Sequence, residues 1–443
     1  MDLQLGGFAE HFAYSFGRAC AAIKPGVCVV KTVLRIILVM LAGGALPALA
    51  APMGIDDARH LLNRAGFGAR PADLAEFARL SRAAAVERLL APTRADAGPP
   101  PPAELTGYLS PASLRALSDE ERKETQKRSA IALRVWWVGA MLGATSPAEQ
   151  LRERMTLFWH NHFVSSLQKV KSAKLMLDQN RLLRRHALGN FGELLHAVGK
   201  DPAMVVYLDS ATNRQGSPNE NFAREVMELF TLGEGHYSER DIKEAARAFT
   251  GWSIEPATGE FRWRPFAHDR GSKTVLGVTG NLDGDAVLDI LLAQPQTAEF
   301  VVRKLWREFV SPAPDEAEVR RIARRFRDSR YDTRVALREV LGSRAFWAPE
   351  SRLALVKSPV DWVLGTLNSL QIEAPEPLLL GFALRQLGQD LFAPPNVRGW
   401  PGGEAWINSS TLLARKQFAE RLLRRDGRMD AREVLLDPVA QLK

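Results

Sequence analysis

The sequence predicts an all-α protein, a large multi-helix globular unit with one small β-hairpin near residues 261–278. Apolar residues recur at helical spacing along most of the chain. Serines followed three residues later by an acid mark several helix starts. Only FRWRPF and TVLGV, on either side of a turn, have the character of strands. The 443 residues, of which 46% are hydrophobic and 25% charged, provide for a large core.

Residues 1–50 predict a signal peptide. Lys31 and Arg35 precede the apolar run Ile36–Ala50, which ends in the small-x-small sequence Ala-Leu-Ala. The segment before Val30 is long for the basic region of a signal, so translation starting near Val30 or Met40 is an alternative, as is an uncleaved anchor. We expect residues 51–443 to be one helical domain with a Pro-rich loop at 92–102, periplasmic or secreted, without a stable membrane span after cleavage.

Composition narrows the chemistry that this domain can perform. Both cysteines, Cys20 and Cys28, lie in the leader, which excludes disulfides and thiolate sites from the mature domain. The net charge of +8 becomes +6 after removal of four basic and two acidic leader residues. Because the charges are mixed rather than blocked, we interpret the excess as plain solubility, with contact to anionic envelope polymers or lipid headgroups as the alternative. No nucleic-acid partner is predicted.

Capping boxes predict three helix starts, at Ser146 with Glu149, Ser217 with Glu220, and Ser238 with Asp241. The second helix is expected to run from Asn219 through Phe230, because Phe222, Val226, Leu229 and Phe230 form an apolar stripe. Further helices are predicted at residues 285–293, 296–310, 315–328, 332–343, 351–370 and 377–389.

The sequence His160-Asn161-His162 invites a metal or nuclease interpretation. Two histidines two apart on a helix point to different faces, and no second ligand set at metal spacing follows. No metal site is therefore predicted. His162 shares a face with apolar residues and is expected in the core, whereas His160 shares one with Glu153 and Thr156 and is the candidate for a polar site.

A second polar group surrounds the start of the helix at Asn219. Asn221, Arg224 and Glu225 lie opposite the apolar stripe, and two amides flanking Glu220 would aim donors at one anionic or hydroxyl ligand. A solvated helix face with internal ion pairs explains the same pattern, and Glu220 is also the acid of the predicted capping box.

The remaining ligand-binding candidates lie in loops. Lys273 follows His268 in a turn that resembles a phosphate loop but lacks its glycines. Asn396 and Trp400 lie in a rigid, Pro/Gly-rich loop at 393–403, where Trp400 either stacks on a sugar ring or anchors the loop on the core. The predicted ligand-binding residues are Asn219, Asn221, Arg224, Lys273, Asn396 and Trp400, and no cofactor is assigned.

Several long motifs together resemble the bacterial domain-of-unknown-function family 1800. They are HLLNRAGFG from His60, FWHNHF from Phe158, NENFAREVMELFTLGEGHY from Asn219, AARAFTGW from Ala245 and PPNVRGWPGG from Pro394. The resemblance covers essentially all of residues 55–420. It implies an exported protein, often encoded beside a member of domain-of-unknown-function family 1501, and it implies no established activity and no catalytic residues.

Two functions remain open from the sequence. The first is a non-catalytic cell-envelope protein that binds or helps to assemble a secreted partner, such as an exported member of family 1501. The second is a hydrolase-like enzyme acting on an extracellular polymer, with Glu220 or Glu225 as acid/base and His160 assisting.

Overall fold

Helices make up most of the chain, as the apolar spacing predicts. The computed structural model describes residues 51–93 and 99–443, of which Pro52–Lys443 form one compact unit. The helices there are α1 (Gly54–Ala65), α2 (Pro71–Phe77), α3 (Arg82–Leu89), α4 (Pro111–Arg115), α5 (Asp119–Gly143), α6 (Pro147–His162), α7 (Leu167–Val170), α8 (Ala173–His186), α9 (Phe191–Gly199), α10 (Pro202–Tyr207), α11 (Asn221–Glu225), α12 (Glu239–Ala248), α13 (Gly284–Ala293), α14 (Pro295–Phe309), α15 (Glu316–Asp328), α16 (Thr333–Gly342), α17 (Pro359–Leu370), α18 (Pro377–Gln386), α19 (Ser409–Asp426) and α20 (Arg432–Leu436). A π-helix, Val226–Thr231, directly continues α11.

Two sequence predictions fall on residues that lie outside the described part. The signal peptide at 1–50 is one, and the centre of the Pro-rich loop, residues 94–98, is the other. Among the described residues, no helix combines the length and the apolar character needed to cross a bilayer.

Two of the three predicted capping boxes are confirmed. Ser146 and Glu149 cap α6 reciprocally, and Ser238 and Asp241 do the same for α12. The box at Ser217 is wrong: α11 begins at Asn221, and the Glu220 carboxylate accepts from Arg224 instead. The tertiary fold explains this, because Asn213 accepts a hydrogen bond from the Asn219 backbone N–H and holds the segment as a loop before the helix starts.

The strands form two hairpins rather than the one predicted from FRWRPF and TVLGV. Strand β1 (Trp252–Ile254) pairs antiparallel with β2 (Phe261–Trp263), and β3 (Lys273–Val275) pairs with β4 (Val278–Gly280). Leu276 and Gly277 both have positive φ, at 48° and 82°, which is the backbone of a tight two-residue hairpin turn. TVLGVTG therefore folds back on itself, and FRW pairs with the chain before it.

Helix α6 lies between two hydrophobic clusters. Trp159 and Phe163 pack with Phe191 and Phe230 in one cluster. The other cluster contains Trp137, Trp362, Phe392 and Trp400, and Leu157 of α6 belongs to it. Because α6 contributes to both, twelve of its sixteen side chains are buried, polar ones included.

Candidate functional site

The loop Ala393–Gly403 is fixed to the carboxyl end of α6 by one side chain. Asn161 Oδ1 accepts from the Trp400 backbone N–H at 2.8 Å, across 239 residues of sequence. Gly399, with φ +84°, lies so close that a Cβ there would overlap the Asn161 carboxamide. The Trp400 side chain is 5% exposed and anchors the loop in the core. The loop is thus a rigid wall rather than a casual linker.

One face of this loop borders a cavity of about 220 Å³. Trp400 and Trp406 provide aromatic surface, and Arg385, Asp390 and Asn408 provide polar groups. The Arg385 side chain is 69% exposed, while Asp390 is held by a bidentate pair with Arg134. The cavity therefore offers fixed aromatic walls, the Asp390 carboxylate held by Arg134, and the exposed Arg385 guanidinium, which lies 3.8 Å from that carboxylate.

The other face of the loop meets the π-helix through Arg398. This guanidinium binds Glu228 at 2.7 Å and Glu234 at 3.0 Å. Tyr237 donates to the other Glu228 oxygen at 3.2 Å. The glycine turn after the π-helix thus folds Tyr237 back toward the helix.

Glu225 lies one helical turn before Glu228. Burial, followed by the negative charge of Glu228, raises the pKa of its carboxyl group, and Arg398 opposes the shift. Its side chain accepts no hydrogen bond from any residue in the described ranges. Glu225 is therefore a half-buried carboxyl group with a raised pKa, which is a property of general acids.

Two polar side chains, Lys304 and the buried His162, hold the π-helix (Val226–Thr231). Lys304 donates to the Leu229 carbonyl at 3.0 Å and to His162 Nδ1 at 3.1 Å. His162 Nε2 lies 3.1 Å from the Phe230 carbonyl, an arrangement that fits a neutral ring donating through Nε2. Burial lowers the pKa of Lys304 to about 7. A π-helix leaves carbonyls out of the usual ladder, and here Lys304 and His162 satisfy two of them.

His160 has an apolar environment, which differs from the polar one that its helical face indicates. Its ring contacts Trp137, Phe392 and Trp400, with centroids 5.2, 5.4 and 5.8 Å away. Neither ring nitrogen has a hydrogen-bond partner among the described residues. Burial alone lowers the pKa of His160 to about 3, so no carboxylate acts on it. The structure does not bring His160 together with Glu220 or Glu225.

The residues around the start of α11 bind one another. Arg224 donates to both oxygens of Glu239 at 2.8 Å and to Glu220 at 3.2 Å. Asn219 accepts from the Asn221 backbone N–H at 3.0 Å, and the Asn221 amide donates to Asp209 at 3.1 Å. These polar groups therefore pair with one another at the surface. This agrees with a solvated helix face that carries internal ion pairs, the alternative to a ligand site.

The two remaining predicted ligand-binding residues stabilise turns. Lys273 is 1% exposed and donates to the backbone carbonyls of Asp269 and Gly271, at 2.5 and 2.9 Å. Asn396 is exposed and accepts from the Arg398 backbone N–H at 2.9 Å, within its own loop. The hydrogen bonds of both residues stay within their own turns, and none reaches the start of α11.

Sequence reasoning missed Arg385, Asp390 and Arg398. Arg398 lies in the loop at 393–403 that the sequence singles out, but its partners Glu228 and Glu234 are 170 and 164 residues away. Arg385 and Asp390 precede that loop in a segment that carries no motif. Across residues 51–93 and 99–443, no group of three or more His, Cys, Asp or Glu side chains is arranged to hold a metal ion.

Comparison with known proteins identifies a family. Residues 60–442 match the family model described as "Protein of unknown function (DUF1800)". No curated protein and no solved structure matches the chain.

Proposed function

The chain belongs to the DUF1800 family of proteins of unknown function, and on that premise we propose that it is an exported, non-catalytic binding protein of the cell envelope. The cavity beside Trp400 is the binding site in this proposal. The observation that supports it best is the rigid attachment of its wall, where Asn161 fixes the loop and Arg134 fixes Asp390. A preformed wall lowers the entropy that binding would otherwise cost.

The size of the cavity indicates its occupant. Pockets for small-molecule ligands usually enclose about 300–1,000 Å³, whereas this one measures about 220 Å³. It suits a single large side chain of a partner protein, with aromatic walls around the apolar part and Arg385 or Asn408 beside its polar atoms. The partner that we propose is an exported member of domain-of-unknown-function family 1501, which the family resemblance suggests.

A cavity-filling variant tests this site. Ala405 lines the cavity and is exposed, so Ala405→Phe adds a ring there without removing a buried group. Biolayer interferometry with the purified family 1501 protein from the same genome should show binding by the wild type and at least about tenfold weaker binding by Ala405→Phe, the equivalent of about 1.4 kcal/mol.

Ala313→Phe is the matched control, because Ala313 is also exposed but lies in the loop between α14 and α15. It should bind as the wild type does. Equal binding by Ala405→Phe would overturn the assignment of the cavity, and no binding by the wild type would overturn the choice of partner.

Export is the other part of the proposal and has a separate test. Mass spectrometry of the protein isolated from its own cells should find an N-terminus near Ala51, in the periplasmic or secreted fraction. An intact leader in the cytosolic fraction would contradict export. The binding experiment would still test the cavity in that case, because it uses purified proteins.

One observation favours the alternative, a hydrolase acting on an extracellular polymer. Glu225 combines a raised pKa with a carboxyl group that accepts no hydrogen bond from the described residues, and Arg398 is close enough to act on it electrostatically. A carboxyl group with a raised pKa that no protein donor engages suits the role of a general acid. In this alternative Glu225 acts as the acid, while Glu220 pairs with Arg224 and His160 lies among aromatic rings without contact to Glu225.

Glu225→Gln tests that alternative once turnover has been found on a panel of envelope polysaccharides and peptidoglycan. General acid catalysis typically contributes about 10²–10⁴-fold, so kcat should fall by that order. Glu220→Gln, which changes a surface ion pair, is the control and should keep its activity. Unchanged turnover by Glu225→Gln would exclude the acid role.

A further inference from the structure

Helices α18 and α19 expose an unusual amount of apolar surface. Five of the fourteen large hydrophobic side chains that are exposed in the described ranges lie on these two helices, which contact each other. They are Leu378, Leu379, Phe382, Leu412 and Leu413. Leu379 is 58% and Leu413 is 55% exposed. Scattered apolar side chains need no explanation, but a concentration on two neighbouring helices does.

The apolar side chains of α18 also border a groove. Leu378 and Phe382 face Ile131 and Val135 of α5 across it, with Arg134 and Arg385 at its edges. No residue in the described ranges fills this groove. The outer surface of α18 is therefore unpartnered within the described molecule.

The solvent side of α19 is basic. Lys416, Arg421, Arg424 and Arg425 are all exposed, and none forms an ion pair with a described residue. The acids of the same helix are neutralised, because Arg432 binds Glu420 at 2.8 Å and Arg428 binds Asp426 at 3.0 Å. Four exposed cations without an ion pair thus lie on the same helix as Leu412 and Leu413, although Lys416 and Arg424 also act electrostatically on Glu420.

We propose that the outer surface of α18 and α19, here called the amphipathic surface, docks on an anionic lipid bilayer. Helices that lie in the bilayer interface combine apolar side chains, which enter the headgroup region, with lysines and arginines that meet lipid phosphates. The cations of α19 supply the charge complementarity, and the leucines and Phe382 supply the apolar contact. This proposal is independent of the cavity beside Trp400.

Exposed apolar side chains together with cations favour a bilayer over other occupants of this surface. An anionic polymer would be met by the cations alone and would leave five apolar side chains in water. A symmetric dimer through this surface would bring the same four cations of both copies into one interface, which is unfavourable. A bilayer with anionic headgroups satisfies both parts at once.

The test measures flotation of the purified protein with lipid vesicles. Residues 51–443 are used, because the apolar leader would bind vesicles by itself and Pro52–Lys443 form a compact unit. We expect binding to vesicles of phosphatidylcholine mixed with phosphatidylglycerol, loss of most of that binding at high salt, and weak binding to phosphatidylcholine alone.

Two variants separate the contributions. Changing Arg421, Arg424 and Arg425 to Glu should weaken binding at least about tenfold, and Leu379→Ser combined with Phe382→Ser should weaken it without altering its salt dependence. The charge control changes Arg240, Arg270 and Arg324 to Glu, which alters the net charge equally at three exposed sites elsewhere. The apolar control is Phe266→Ser, at an exposed residue near β2.

Circular dichroism and thermal unfolding establish that each variant is folded before its binding is compared. Both controls should float as the wild type does. The proposal is overturned if the wild type ignores the anionic vesicles, if the α19 variant and the charge control bind equally, or if analytical ultracentrifugation shows that the surface instead joins two copies of the chain.

Discussion

At the scale of the residue, His160 is buried among aromatic rings with both nitrogens unpaired. An unsatisfied buried polar group costs about 1–3 kcal/mol. The ring also remains neutral when folded, because burial lowers its pKa from 6.5 to about 3. The free energy of unfolding should therefore fall in acid, because His160 takes up a proton in the unfolded chain but stays neutral in the folded protein.

We predict that His160→Leu reduces the acid sensitivity of folding. Above pH 6.5 His160 is neutral in both states and titration has no effect on stability. As the pH falls below 6.5 the unfolded state is protonated first, so the free energy of unfolding drops until about pH 3. Between pH 7 and pH 5 the wild type should lose about 2 kcal/mol more than His160→Leu, because one pKa unit equals about 1.4 kcal/mol.

Urea unfolding at the two pH values measures this difference. His236→Leu is the matched control, since His236 is exposed. It should lose stability in acid as the wild type does. An identical pH dependence in His160→Leu and the wild type would show that His160 is solvated or paired in solution.

At the scale of the element, two helix starts show that a local sequence motif does not by itself determine where a helix begins. Ser146 and Ser217 have the same sequence signature, with Pro next and Glu third. Ser146 caps α6: its hydroxyl accepts from the Glu149 backbone N–H, and the Glu149 carboxylate accepts from the Ser146 backbone N–H. Ser217 does not cap α11, because Asn213 holds the backbone of Asn219 in a loop. The same motif thus has two outcomes, which tertiary contacts decide.

We predict unequal effects of removing these two hydroxyls. Ser146→Ala should lower the free energy of unfolding by about 1 kcal/mol, the usual contribution of an N-cap. Ser217→Ala should change it by less than about 0.5 kcal/mol, as at most exposed positions. Chemical denaturation of both variants measures the difference, and equal losses would mean that Ser217 caps a helix after all.

At the scale of the whole molecule, a buried ion network joins distant parts of the chain. Asp361 of α17 binds Arg154 of α6, and Lys443 donates to the other Asp361 oxygen at 2.7 Å. Arg154 also binds Glu308 of α14 at 2.6 Å. Burial would raise the pKa of Asp361, but Arg154 and Lys443 together hold it well below its usual range. The network therefore joins three helices and the segment around Lys443, and two of its cations, Arg154 and Lys443, share the Asp361 carboxylate.

We predict that Asp361→Asn is among the most destabilising conservative changes in the protein. It leaves Arg154 and Lys443 buried with too little negative charge, and removing one partner of a buried pair costs about 3–5 kcal/mol. Glu87→Gln is the control, because its pair with Arg338 is exposed and such pairs contribute about 0–1 kcal/mol. Urea midpoints compare the two, and a loss below about 1 kcal/mol for Asp361→Asn would contradict the role of the network.

Local patterns determined the helical architecture. The predicted helices at 285–293, 296–310, 315–328 and 332–343 agree with α13 to α16 within one residue at each end, because periodicity and caps act over a few residues. Only the tertiary structure decided which polar side chains meet. Arg398 reaches Glu228 across 170 residues and Asn161 reaches Trp400 across 239, and the packing of α6 between two clusters buried His160 despite its polar helical face. Such contacts depend on how whole elements pack, and no short stretch of sequence contains that information.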